Sequence, residues 1–190
     1  MKSDRRLAAV ACACVILLAG CTASHAGAAD GSKAHTTAGA TAQATTTAGP
    51  SAAVKMVCAT ETRANIAKAL GLKTAPKPSA TWADSTYTCV YALPMGRLVL
   101  SVKHSPTPQA ARAYLDSTAQ RLGATTSLSG PAKTALASSD GTVLLLKDSD
   151  VLQVNATLLP AVVGTQHLKR NDFAALMASD ILACWTGDGS

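Results

Sequence analysis

Few residues in this chain are suited to covalent or acid–base chemistry. Glutamate occurs once, as Glu61, and histidine four times, at His25, His35, His104 and His167. A hydrolase needs a nucleophile beside a base, or a pair of carboxylates placed across a substrate. Asp148 and Asp150 flank Ser149, a spacing that reads first as a tight turn, where aspartate bonds its local backbone. His104 closes a strand-like alternation ahead of Ser105-Pro106, and His167 falls in an irregular stretch; the sequence supplies neither with a partner. His25 and His35 stand ten residues apart without ligating neighbours, and no phosphate loop, C-x-x-C pair or zinc-spaced histidine motif occurs. The expectation is no catalytic residue, no metal and no cofactor.

Side chains suited to recognition are more evident. Trp82 and Tyr87 sit in an otherwise polar connection, as candidate ligand contacts or as plugs at the core edge. Lys55, Arg63, Lys68, Lys73 and Lys77 have Glu61 as their single acidic neighbour, a basic face more simply read as solvated than as a polymer-binding surface. The formal charge is +6, and 14 basic against 10 acidic residues lie after the first 20 positions. This excess is too mild and too scattered for a nucleic-acid binder.

The remaining chemistry belongs to cysteine. Lys2, Arg5 and Arg6 precede the apolar run from Leu7 to Ala19, which is short for a membrane span and has the layout of a secretory signal. At its end Leu18-Ala19-Gly20-Cys21 resembles the lipobox of bacterial lipoproteins. That resemblance implies a diacylglyceryl thioether on Cys21 and cleavage before it. Two acyl chains, at about 0.8 kcal/mol per buried methylene, anchor stably where one is marginal. Residues 1–20 are thus the expected signal peptide, and 21–53 a tether. From Thr22 to Ala53, 26 of 32 residues are Ala, Gly, Ser or Thr, too polar and small to offset the entropy of ordering. Its mean reach as a coil is about 30 Å.

Residues 54–190 carry the folded domain. Thr60 is the expected cap of a helix over Glu61–Leu70 that Gly71 ends. Ala75 to Ser79 reads as a loop. Tyr87–Leu93 and Arg97–His104 alternate as two arms of a hairpin around Pro94-Met95-Gly96. Thr107-Pro108 starts a helix ending at Gly123, and Thr125–Leu128 reads as a short edge strand. A loop of small residues leads to a second hairpin, Thr142–Lys147 with Val151–Leu158. Asn171 is the expected cap of a last helix carrying Phe173, Leu176, Met177, Ile181 and Cys184 on one side. The order α-β-β-α-β-β-α predicts an α+β fold: a two-layer sandwich, its antiparallel sheet of two hairpins covered on one face by about three helices.

Cys58, Cys89 and Cys184 remain for an oxidising compartment, where three thiols allow three single bridges. Cys58–Cys89 would staple the first helix to the first hairpin and is the preferred pair; bridges to Cys184 are the alternatives. Cys58, Ala69-Leu70-Gly71 at a helix end and Cys89-Val90-Tyr91 opening a strand are similar to the actinobacterial envelope lipoproteins of the DUF3558 type, over residues 54–185. The resemblance implies a cell-envelope lipoprotein on the outer face of the cytoplasmic membrane and carries no catalytic residue. The expected function is a non-catalytic domain binding a partner protein, envelope polymer or lipid. A carrier of lipid or another small apolar ligand is the alternative, and an envelope hydrolase the third reading.

Overall fold

The computed structural model describes residues 49–123, 125–129 and 134–186. The expected signal, the expected lipidation site Cys21 and nearly all of the expected tether lie outside the described residues. Helical structure begins two residues ahead of the expected domain start, in the single turn α1 (Ala52–Lys55). Ser51 caps it by accepting from the Val54 amide. A 3-10 turn, Met56–Cys58, leads into α2 (Thr60–Leu70). Thr60 is not the cap of α2: Ala59 holds that position, and no side chain caps the helix. Thr62 instead donates its hydroxyl to the Met56 carbonyl at 2.6 Å, tying the helix to the preceding turn. Gly71 ends α2 in the left-handed region, as expected.

Seven strands then form one antiparallel sheet. They are β1 (Pro78–Ala83), β2 (Thr86–Leu93), β3 (Gly96–His104), β4 (Thr125–Ser127), β5 (Thr134–Ser138), β6 (Thr142–Lys147) and β7 (Asp150–Leu158). Their spatial order is β1-β2-β3-β7-β6-β5-β4, so both expected hairpins are present and meet at the central β3–β7 pair. Each hairpin gains a neighbour. β1 includes part of the stretch expected as a loop, and it tolerates Pro78 because it is an edge strand. It joins β2 through Asp84-Ser85, both at positive φ, the conformation favoured in two-residue hairpin turns. β5 replaces part of the expected small-residue loop.

α3 (Pro108–Leu122) begins as its sequence requires, with the Thr107 hydroxyl accepting from the Ala110 amide at 3.1 Å. A two-residue ribbon, β8 (Val162–Val163) with β9 (Leu168–Lys169), precedes α4 (Arg170–Thr186). Asn171 does not cap α4; it lies within the first turn and donates its side-chain amide to the Ser139 carbonyl.

The register divides the side chains between two faces. Tyr91, Leu98, Leu100, Val102, Leu152 and Val154 share one face, all fully or almost fully buried. Ile66 and Leu70 of α2 and Phe173, Met177 and Ile181 of α4 complete that core. Leu144 and Val151 point the other way and pack with Ala111 and Leu115 of α3. The helices are therefore not all on one face: α2 and α4 cover one side, and α3 covers the β6–β7 part of the other. The Val143-Leu144-Leu145 run is buried throughout because both sides of β6 are covered.

Two bonds tie the first turn to the sheet. Cys58 and Cys89 form a disulfide with a Cα–Cα distance of 5.7 Å, within the usual range. Two residues along β2, the fully buried Tyr91 donates its hydroxyl to the Val57 carbonyl at 2.6 Å. Burial pushes that phenol far above its ordinary range. Cysteine and tyrosine at i and i+2 share a face of β2 and grip adjacent residues of one turn. The bridge is consistent with an oxidising, extracytoplasmic location.

Candidate functional site

A depression among the described residues lies over the seam between α2 and α4. Asn65, Lys68 and Ala69 are spaced three and four apart, so they share one side of α2. Leu176 and Asp180 are four apart on α4 and face them. The β8–β9 ribbon closes one end with Gln166 and Leu168, giving a groove of about 240 Å³. That is below the usual range for drug-sized ligands and suits a small molecule or a single protruding side chain.

Glycine sets the end wall. Gly164 (φ 70°) and Gly71 (φ 68°) both occupy the left-handed region. A Cβ on Gly71 would stand 2.6 Å from the Thr165 methyl, so the ribbon rests directly against the end of α2. His167 forms the ribbon tip at φ 51°, its amide donating to the Gly164 carbonyl.

The polar side chains of the lining are unpaired. Among the described residues, the side chains of Asn65, Lys68, Gln166 and Asp180 make no hydrogen bond or ion pair with each other or with another residue. Burial raises the Asp180 carboxyl above its ordinary value of 3.8, and the charge of Lys68 partly offsets this. The groove therefore presents an ammonium, a carboxyl, two amides and the apolar surfaces of Ala69, Leu168 and Leu176. It offers selective polar recognition without a nucleophile–base pair.

No family model, curated protein or solved structure matches the chain.

Apart from Lys68 and Leu176, the residues singled out in the sequence fall elsewhere. Trp82 and Tyr87 are directly opposed on β1 and β2, half-buried and packed on the core edge. His104 has a partner that sequence did not reveal: its Nδ1 lies 2.8 Å from Asp150 Oδ1 across the β3–β7 register. Asp148 pairs with Lys147, and Glu61 stands exposed in the first turn of α2. Among the described residues no three His, Cys, Asp or Glu side chains gather as metal ligands, and no helix is long and apolar enough to cross a membrane. Cys184 is a half-buried free thiol. Leu176, expected on the apolar side of α4, is 40% exposed and lines the groove instead.

Proposed function

We propose that the chain is a lipid-anchored extracytoplasmic lipoprotein whose α+β domain binds a cell-envelope component or partner protein at the α2–α4 groove, without catalysing a reaction. The single observation that carries the binding role is a formed groove lined by four polar side chains that leave one another unpaired. The charged leader, the Leu18-Ala19-Gly20-Cys21 lipobox and the Cys58–Cys89 bridge support the location. The resemblance to DUF3558-type lipoproteins supports the same address. Leu98, Leu100, Leu152 and Phe173 fill the layer between sheet and helices, the space an apolar cargo would need, which favours binding at the surface over carriage inside. Among the described residues the His104 and Asp150 side chains bond each other and no hydroxyl or thiol side chain, so hydrolysis has less support than binding.

The test uses the full chain in its own host. Intact-mass analysis reads the diacylglyceryl addition on Cys21, and Cys21→Ala is expected to release the protein from the membrane. A photo-crosslinking residue at Leu176 should yield a defined adduct, identified by mass, that the same probe at Ser117 on α3 does not. Equal adducts at both positions, or none, would overturn the binding site; a Cys21→Ala chain that stays membrane-bound would overturn the anchor.

A further inference from the structure

We infer that the groove is a receptor for a zwitterion of amino-acid or dipeptide size, its ammonium held by Asp180 and its carboxylate by Lys68. This rests on the binding role proposed above and adds the class of ligand.

Charge arrangement carries the inference. Lys68 comes from α2 and Asp180 from α4, so the helix seam fixes opposite charges on opposite walls of one groove. They are close enough for Lys68 to influence the Asp180 carboxyl, yet they do not close into an ion pair. An anion alone would meet the carboxylate of Asp180, and a cation alone would meet Lys68. A ligand carrying both charges at opposite ends satisfies both walls and displaces nothing already paired. Asn65 and Gln166 supply a donor and an acceptor each for the polar atoms between the two ends. Leu176 and Leu168 offer apolar surface to a short side chain.

Alternative chemistries fit less well. None of the lining residues is aromatic, so a sugar ring has no stacking face there. A groove of about 240 Å³ also buries too little of a long acyl chain to hold it well. The other charged residues of these elements, Glu61 and Arg63 on α2, Lys169 on β9, and Arg170 and Asp172 on α4, are outside the lining. An ammonium arriving at Asp180 would oppose the effect of burial and hold the carboxylate ionised at lower pH.

The experiment is a titration of isotope-labelled full-length protein, followed through the side-chain amide signals of Asn65 and Gln166. The probes are L-alanyl-L-alanine, its N-acetylated form and its C-amidated form. The free dipeptide should shift both signals. Either capped form should bind roughly ten- to a hundredfold more weakly, the loss of one hydrogen bond to a charged group. Asp180→Asn should abolish the preference for the free over the acetylated dipeptide, and Lys68→Met the preference for the free over the amidated one. Backbone signals from the sheet report whether each variant retains its fold. Equal binding by capped and free forms would overturn the zwitterion while leaving a binding groove in place. No shift with any probe would also overturn it, and the crosslinking at Leu176 would then decide the broader reading separately.

Discussion

Gly164 approaches α2 so closely that a Cβ built on it would lie 2.3 Å from the carbonyl oxygen of Ala69. The neighbour is backbone near a helix end and cannot swing aside as a flexible side chain would. The contact fixes the β8–β9 ribbon against α2 and thereby sets the closed end of the groove. Gly164→Ala adds a clash to an unfavourable positive φ, so it should cost more than about 1 kcal/mol of stability. Denaturant unfolding reads that loss. The amide signals of Gln166 should also move, whereas those on α3 should not.

Removing the Cys58–Cys89 bridge by a double change to serine should lower stability by about 3–4 kcal/mol, given the sequence separation of 31 residues. Tyr91→Phe leaves the Val57 carbonyl without its partner, at a cost of about 1–3 kcal/mol. Both bonds restrain the same turn, so the triple variant should lose less than the sum. A thermodynamic cycle from urea unfolding measures the difference.

Asp140 sets an acid-range dependence. Burial by itself would raise its carboxyl, but hydrogen bonds from Ser138 and Thr142 and the charge of Arg170 outweigh it and hold the group below its ordinary 3.8. A depressed carboxylate contributes stability that is complete above 3.8 and is lost as pH falls through the lower, folded value. Asp140→Asn should therefore flatten the stability profile on the acid side of pH 4, read as unfolding midpoints across that range.

Asp180 has the opposite sign. Its raised folded value means that the protein gains from this group below 3.8 and loses that gain as pH rises through the folded value. Asp180→Asn should be more stable than the parent chain at neutral pH, with the difference shrinking toward acid. Thermal midpoints at the two ends of the range check the direction; a variant less stable at neutral pH would contradict it.

The hairpins and α3 were legible because their residues state their own geometry. Leu98, Leu100 and Val102 alternate, and Thr107-Pro108 punctuates a helix start. β1 was hidden by Pro76 and Pro78, which signal a loop until one knows that the strand lies at the sheet edge. β5 was hidden because Thr134-Ala135-Leu136-Ala137-Ser138 is weakly apolar. The side on which α3 packs follows from tertiary arrangement, although the unbroken Val143–Leu146 run already signalled a strand covered on both faces. The groove was missed for another reason. Lys68 read as one member of a solvated basic face, and the partners that give it meaning lie about a hundred residues away. The local sign was Asp180, a carboxylate interrupting the apolar spacing from Phe173 to Ile181.

The Cys58–Cys89 bond also has a mechanical consequence. A pull applied from the N-terminal side reaches Cys58 and passes across the disulfide directly into β2, near the centre of the first hairpin's buried face. Residues 59–88 form the loop that this disulfide bypasses. α2 lies within it, with Asn65, Lys68 and Ala69 along the groove. A pull from that end would therefore reach the sheet through a covalent path that does not run along the α2 wall of the groove.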